Sequence, residues 1–326
     1  MNQPLRIWVL ADDRAGNVAQ AVGVAEALGL PFETKAIRYS PFARLPNALQ
    51  GASRLGLTPE TRLALTPPWP DVVIAAGRRT APVARWLKRR NPRAFLAQIM
   101  NPGKAGAEEF DLIATPAHDC KLPNGDAPNV LRTVGAPHRV TPQRLAAARD
   151  VWAQRFAPLP RPLFALIVGG ATNRKPFPTT LAKQLGADVT AWAKPAGGSV
   201  LLTTSRRTGA EAEQALLTAI PEPRYTFTWG SDGDNPYMGF LALADAIVVT
   251  GDSVSMCSEA CAAPAPVYIF APDDMVAAKH ARLHADLYAR GFARPFDGAR
   301  ETWTHPPLNA AHDIARAISS QLKGRR

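Results

Sequence analysis

The chain of 326 residues has no long apolar run and only three cysteines. No uncharged apolar stretch reaches the roughly 18 residues that a membrane-spanning helix needs. The apolar run near the amino terminus is too short for a signal peptide and predicts a first strand instead. Cys120, Cys257 and Cys261 form neither a disulfide framework nor a Cys-x-x-Cys metal motif. These absences predict a cytoplasmic protein without structural disulfides.

Several common ligand-binding motifs are also missing. No Gly-x-Gly-x-x-Gly follows the first predicted strand, which argues against a dinucleotide-binding dehydrogenase. No RNP, zinc-finger or helix-turn-helix pattern occurs, so nucleic acid is not an expected partner. His280 and His284 have the spacing of a zinc pair without a third ligand, and Asp232-Gly233-Asp234 is ordinary turn chemistry. We therefore predict no metal and no bound cofactor.

The charge balance is strongly basic. Lys and Arg number 38 against 27 Asp and Glu, which gives a net charge of +11 and a pI near 10.0. Such an excess favours anionic partners, either phosphorylated substrates or an acidic membrane face. The predicted helix Ala81 to Arg90 could rest on anionic lipid through Trp86 and the basic run Lys88 to Arg90. The alternative is a solvated basic face beside a buried Trp86.

Strand, loop and helix alternate in both halves of the chain. The clearest strands are apolar, as in Asp71 to Ala76 and Leu163 to Val168. With 46% apolar and 20% charged residues the chain is globular, and its length favours two domains. We predict an α/β protein of two Rossmann-like parallel-sheet domains that face a cleft. Residues 38–70 have no clear period, and a connection of that length carries short helices or a function of its own.

Prolines mark the predicted domain boundary. Pro158, Pro160 and Pro162 cannot lie within one continuing helix. We therefore predict an amino-terminal domain of residues 1–157 and a carboxyl-terminal domain of residues 163–300. The final helix and basic tail, residues 309–326, are expected to pack back on the amino-terminal domain.

The stretch from Asp245 to Glu259 predicts a phosphate site. A buried strand ends in Thr250-Gly251-Asp252-Ser253, and a helix follows. Asp252, Ser253, Ser255 and the first backbone N–H groups of that helix would lie near a bound phosphate. Glu259 is one turn beyond Ser255 on the same face, where its carboxylate could accept ribose hydroxyls. The alternative is a capped helix start whose Ser and Asp serve only the backbone.

Two further loops in the second half favour phosphate, and neither is a Walker A loop. Glycines let a backbone approach a ligand closely, and Lys or Arg can neutralise its charge. The candidates in these loops are Gly170, Thr172, Arg174 and Lys175 after one predicted strand, and Ser205, Arg206 and Arg207 after the next.

Polar residues of the first half would face the same ligand from the other domain. Asp12, Asp13 and Asn17 follow the first strand, and His118 follows a later one. Asp13, or else Asp12 or His118, could be a general base, although one of the aspartates could instead cap the following helix.

Several short motifs together resemble the mitochondrial-fission "elongated mitochondria" family, in its bacterial branch. The resemblance runs from about residue 5 to about residue 290. The motifs that carry it are Asp12 to Gln20, Pro70 to Thr80, Gln98 to Pro102, Ser205 to Thr208, Asn235 to Tyr237 and Val249 to Met256.

The resemblance implies a two-domain glycosyltransferase fold of the GT-B type. It implies a nucleotide-sugar donor held in the second domain, with Ser253 and Ser255 on the diphosphate, Glu259 on the ribose, and Asn235 and Tyr237 nearby. The acceptor is unknown and could be lipid-linked or envelope-related, which would place the protein peripherally at the inner face of the cell membrane. The alternatives are a non-catalytic membrane- or protein-binding scaffold and a nucleoside-diphosphate-sugar epimerase, which the missing NAD fingerprint disfavours.

Overall fold

The computed structural model describes residues 4–119, 127–173, 175–298 and 300–325. The chain divides into two compact units. Unit 1 comprises Met1–Arg139 together with Asn309–Arg326, and unit 2 comprises Val140–Leu308. Within the described ranges, no helix is both long and apolar enough to cross a bilayer.

Strands and helices alternate along most of the chain, except that two helices follow one another within residues 47–64 and three strands within residues 95–133. Up to residue 139 they are β1 (Ile7–Ala11), α1 (Ala15–Ala27), β2 (Phe32–Ala36), α2 (Asn47–Gln50), α3 (Pro59–Ala64), β3 (Val72–Ala76), α4 (Ala81–Arg90), β4 (Phe95–Ile99), β5 (Leu112–Pro116) and β6 (Val130–Thr133). The following elements are α5 (Pro142–Phe156), β7 (Leu163–Val168), α6 (Thr179–Ala193), β8 (Ser199–Thr204), α7 (Ala210–Ala219), β9 (Arg224–Phe227), α8 (Tyr237–Leu243), β10 (Ala246–Thr250), α9 (Val254–Ala260), β11 (Val267–Phe270), α10 (Ala278–Ala289), β12 (Arg294–Pro295) and α11 (Ala310–Lys323).

Each unit is built on a parallel sheet of six strands, so the predicted α/β class with two parallel-sheet units is confirmed. The strand orders are β2-β1-β3-β4-β5-β6 in unit 1 and β12-β11-β10-β7-β8-β9 in unit 2. Every residue of β3 and β7 is buried, because helices cover both faces of a parallel sheet. Alternate side chains of β3 lie on opposite faces of the sheet and join different cores. Val72 and Ile74 pack with α1 and α11, whereas Val73 and Ala75 pack with α4.

Helix α11 belongs to unit 1 although it ends the chain. Its amino-terminal cap is the residue just before it, because the Asn309 side chain accepts a hydrogen bond from the backbone N–H of His312 at 3.0 Å. Its buried Ile314 and Ile318 join the core that lies between α1 and the sheet.

Helix α5 belongs to unit 2, whereas the proline pattern placed it before the domain boundary. Trp152 and Phe156 stack at a centroid distance of 5.6 Å, and Phe156 lies 5.6 Å from Phe240 of α8. A Cβ at Gly239 would overlap Trp152, so α8 has glycine where α5 packs against it. The prolines end the helix, but side chains within it decide which unit it joins.

Candidate functional site

Three loops of unit 2 lie side by side at one edge of its sheet. They follow β10, β7 and β8, which are neighbouring parallel strands, so their carboxyl ends meet at the same edge. Ligands of open parallel sheets bind at this edge.

Hydrogen bonds join the three loops into one structure. The Gly169 N–H donates to Thr250 Oγ1 at 2.8 Å, and the Gly169 carbonyl accepts from Thr208 Oγ1 at 3.0 Å and from Ser205 Oγ. The Ala171 N–H donates to the Arg207 carbonyl at 2.9 Å. These hydrogen bonds fix the loops relative to one another, which lowers the conformational cost of binding a ligand.

Both glycines of the first loop are required by close packing. A Cβ at Gly169 would overlap the carboxylate of Asp252, and one at Gly170 would overlap the Arg207 carbonyl. Gly170 also has a φ of 119°, which residues with a Cβ rarely adopt.

Arg207 and Asp252, which we predicted as ligand-binding residues, are bound to one another. Arg207 Nη1 lies 2.5 Å from Asp252 Oδ2 and also donates to the Ala171 carbonyl at 3.0 Å. The Asp252 side chain is fully buried, and its Oδ1 accepts no hydrogen bond from any residue that the structure describes. The pair therefore braces the loops, and Asp252 has no surface with which to touch a ligand.

The sequence left two alternatives open for the start of α9, a phosphate site or a helix cap that serves only the backbone, and its two serines differ in this respect. Ser253 is a helix cap, because its Oγ accepts a hydrogen bond from the Met256 N–H at 3.4 Å. The half-buried Ser255 side chain makes no hydrogen bond within the described ranges. Of the two serines, Ser255 has its hydroxyl free for a ligand.

The carboxylate of Glu259 is held by Tyr237. The Tyr237 hydroxyl donates to Glu259 Oε2 at 2.7 Å, and the Asn235 side chain accepts from the Tyr237 N–H at 2.9 Å. Burial raises the pKa of Glu259, and the hydrogen bond from Tyr237 opposes that rise. Burial and the neighbouring carboxylate raise the pKa of Tyr237, which stays a donor.

The raised pKa of Glu259 predicts a pH-dependent stability. The folded protein holds this proton more tightly than the unfolded chain, so the Glu259 contribution is most favourable below the ordinary pKa of 4.5. This stabilising contribution is lost as pH rises from that value through the pKa of Glu259 in the folded protein. Urea unfolding of the protein and of Glu259→Gln from about pH 4 to about pH 7 checks this. As pH rises, the free energy of unfolding of the variant should increase relative to that of the unchanged protein. A constant difference would contradict the prediction.

Two of the remaining predicted residues of unit 2, Arg206 and Lys175, place positive charge in the loops at this edge. Arg206 is exposed, and Lys175 donates from Nζ to the Asp273 carbonyl at 2.9 Å. The Thr172 N–H donates to the Lys175 carbonyl at 2.8 Å, which closes the turn between them. Arg174 lies outside the described residues.

A second polar cluster lies at the carboxyl ends of β1 and β3 in unit 1. Asp12 accepts hydrogen bonds from the Arg14 N–H at 2.9 Å and from Asn17 at 2.8 Å. Asp13 forms an ion pair with Arg79, whose guanidinium also stacks 4.4 Å from the ring centroid of Tyr39. Both aspartates are thus engaged within the unit.

Arg79 and Tyr39 were not among the predicted site residues. The available signal was the repeated strand, Arg-Arg-Thr and helix pattern at residues 78–80 and 206–208. In each unit the second arginine, Arg79 or Arg207, pairs with an aspartate of a neighbouring loop. His118 is buried at the end of β5.

No group of three or more His, Cys, Asp or Glu side chains in the described ranges is arranged to hold a metal ion.

The sequence is similar to mitochondrial fission proteins along most of its length. A family model described as mitochondrial fission ELM1 matches residues 15–322. The Arabidopsis thaliana mitochondrial fission protein ELM1 is 33% identical over 281 residues, which cover 78% of this chain and 65% of the plant protein. An uncharacterized protein of Rickettsia prowazekii (strain Madrid E) is 30% identical over 353 residues, covering 98% of this chain and 99% of that protein.

Solved structures share the fold at low sequence identity. The UDP-GlcNAc 2-epimerase of Methanocaldococcus jannaschii has a TM-score of 0.59 at 12% identity and covers 98% of this chain and 100% of its own. The Neisseria meningitidis UDP-GlcNAc 2-epimerase bound to UDP-GlcNAc has a TM-score of 0.54 at 11% identity, with coverages of 98% and 100%. The calicheamicin glycosyltransferase CalG4 has a TM-score of 0.50 at 14% identity, with coverages of 98% and 90%. The fold is thus of the GT-B type.

Proposed function

Because this chain belongs to the mitochondrial fission ELM1 family and has a GT-B fold, we propose that it is a glycosyltransferase that uses a nucleotide-sugar donor. The observation that carries the proposal is the joined set of three loops in unit 2. Hydrogen bonds between Gly169 and the side chains of Thr250, Ser205 and Thr208 hold these loops at the edge of the sheet where parallel α/β folds bind ligands.

The proposed roles in unit 2 go to polar side chains that are exposed or half-buried at this edge. Ser255 and the exposed Arg206 would contact the diphosphate of the donor, and Lys175 would add a second positive charge. These fixed charges would stabilise the leaving diphosphate without a metal cofactor. Glu259, oriented by Tyr237, would accept hydrogen bonds from the ribose hydroxyls.

The proposed base lies in unit 1. Asp13 is exposed and remains our first candidate, with Asp12 and His118 as the alternatives. In the present arrangement Arg79 is paired with Asp13. Asp13 would therefore have to exchange this ion pair for the acceptor hydroxyl before it could remove a proton.

Two other functions are consistent with the family and the fold. Epimerisation of a nucleotide sugar is favoured by the structural similarity to UDP-GlcNAc 2-epimerases. A non-catalytic scaffold that binds a membrane or a protein is the other, since the family is named for mitochondrial fission. We infer a cytoplasmic location with peripheral contact at an anionic membrane for the transferase and the scaffold alike.

Isothermal titration with UDP-, GDP-, ADP- and CMP-sugars tests the donor site. We expect one nucleotide class to bind and Glu259→Ala to weaken that binding by about tenfold, which is roughly 1.4 kcal/mol. Glu211→Ala is the matched control, because Glu211 is an exposed glutamate of the same unit outside the proposed site. Binding that is indifferent to Glu259→Ala would show that the site is misplaced, and no binding of any nucleotide would favour the scaffold.

Product analysis separates the two enzymes. An epimerase converts the bound nucleotide sugar to its epimer without an acceptor. A transferase leaves the donor intact, apart from slow hydrolysis, until an acceptor is added. Epimer formed from the donor alone would therefore overturn the transferase proposal.

A further inference from the structure

The connection between β2 and β3 exposes an unusual number of large apolar side chains. Phe42, Leu49, Leu55 and Leu63 are 55%, 70%, 39% and 78% exposed. The other large apolar side chains exposed in the described ranges, Leu30, Val151 and Trp229, are scattered elsewhere along the chain. Single exposed apolar residues are ordinary, but a group within 22 residues indicates an interaction surface.

Hydrogen bonds hold this connection in a compact form. The Ser40 N–H donates to the Gly56 carbonyl at 2.9 Å, and the Thr58 N–H donates to the Arg38 carbonyl at 3.1 Å. The Gln50 side chain donates to the Leu45 carbonyl at 2.8 Å. The chain segments that carry the exposed side chains are therefore held close together.

Asn47 ties the connection to the rest of unit 1. Its side-chain nitrogen donates to the Arg78 carbonyl at 2.9 Å and to the Pro102 carbonyl at 2.7 Å. Asn47 is buried while its near neighbour Leu49 is exposed on the same short helix. The apolar side chains thus project from a fixed base.

The charge of the connection is almost entirely positive. Residues 38–65 contain four arginines, at positions 38, 44, 54 and 62, and Glu60 as the one acidic residue. Arg62 donates to the Leu55 carbonyl at 2.8 Å, and Arg54 donates to the Arg62 carbonyl at 2.8 Å, so both lie beside the apolar group. Arg38 and Arg44 are exposed. We call Phe42, Leu49, Leu55 and Leu63 with Arg38 and Arg44 the 42–63 surface.

Helix α4, the membrane candidate considered from sequence, has no comparable apolar surface. Trp86 is buried against Trp69 at a centroid distance of 5.5 Å. The guanidinium groups of Arg54 and Arg90 cover its ring at 4.3 and 5.2 Å. The tryptophan that would have entered a bilayer is therefore part of the protein core.

We propose that the 42–63 surface docks on an anionic phospholipid bilayer. Phenylalanine and leucine side chains insert at the boundary between headgroups and acyl chains, and arginines beside them attract anionic headgroups. We choose an anionic bilayer as the partner because the connection carries four arginines against one glutamate, a charge excess that complements anionic headgroups. The inference does not depend on the transferase proposal, since a scaffold could dock in the same way.

Vesicle co-sedimentation of the full chain tests the proposal. The vesicles are phosphatidylcholine alone, or phosphatidylcholine with about one third phosphatidylglycerol. We expect binding to the anionic vesicles that falls with salt, and a loss of about tenfold or more in Phe42→Ser/Leu49→Ser/Leu63→Ser. The matched control is Val151→Ser/Trp229→Ser, which removes side chains that are 62% and 63% exposed in unit 2. It should bind as the unchanged protein does.

Two charge-reversal variants test whether vesicle binding depends on this surface or only on the overall basic charge of the protein. Arg38→Glu/Arg44→Glu should weaken binding to the anionic vesicles far more than Lys183→Glu/Lys279→Glu, which reverses two exposed lysines of unit 2. Equal losses in the two variants would mean that net charge alone is responsible, and would overturn the proposal. So would a Phe42/Leu49/Leu63 variant that binds vesicles normally but changes a dimer into a monomer by light scattering, because the surface would then join two copies of the chain.

Discussion

Replacing both Ile314 and Ile318 by alanine is expected to unfold unit 1. The helix that carries them, α11, lies at the opposite end of the sequence from the rest of that unit. Both side chains are buried in the core that α11 shares with α1, Val72 and Ile74. Each Ile→Ala change at a buried site destabilises by roughly 2 to 5 kcal/mol, so the pair should lower the free energy of unfolding by on the order of 5 kcal/mol. That is comparable with the whole stability of many domains.

Hydrogen exchange resolved by peptide shows which unit responds. Protection should fall in β1, β3 and β4 of unit 1, while β7, β8 and β10 of unit 2 keep theirs. Arg316→Ala/Ser320→Ala is the matched control, because both residues lie on the exposed part of the same helix. Equal loss of protection in both units, or none in unit 1, would contradict the placement of α11.

Arg207→Ala should destabilise unit 2, whereas the same change at the adjacent Arg206 should have little effect. Removing the guanidinium leaves the fully buried Asp252 carboxylate without its partner and frees the Ala171 carbonyl. An unpaired buried charge destabilises by about 3 kcal/mol. Arg206 is exposed, and truncating it should change stability by no more than about 0.5 kcal/mol.

Urea unfolding of Arg207→Ala, Asp252→Ala and the double variant isolates the interaction between the two side chains. The double variant should be less destabilised than the sum of the two single ones, because removing both partners leaves no unpaired charge. If Arg207→Ala unfolds at the same urea concentration as Arg206→Ala, the pair does not brace the loops. In that case, any loss of nucleotide-sugar binding in the same variants would come only from a lost direct contact between the substituted side chain and the donor.

The strands were predictable because their signal is local. β7 spans Leu163–Val168, as its six consecutive apolar residues predict, and β3 spans Val72–Ala76 within the predicted range. The start of α9 at Val254 also follows from a short pattern, a polar turn with serine at the cap. Residues 38–70 contain the short helices α2 and α3, as a long connection without a period predicts.

The candidate site was predictable only as a set of loops. Glycine, serine and arginine after buried strands indicated where a ligand could bind, but they could not show which side chains would bind each other. Arg207 and Asp252 are separated by 45 residues, and Asp13 and Arg79 by 66. Both ion pairs turn predicted ligand or catalytic groups towards partners within the protein.

Residue spacing and apolar pattern were thus sufficient for the α/β class, the two parallel sheets and the sheet edge that carries the loops, because backbone geometry links these features to neighbours in the chain. The unit to which α5 and α11 belong, the pairing of Arg207 with Asp252 and the exposure of Phe42, Leu49 and Leu63 required the folded chain. Each of these depends on contacts between residues far apart in sequence, and a linear pattern does not encode which distant side chain fills a given space.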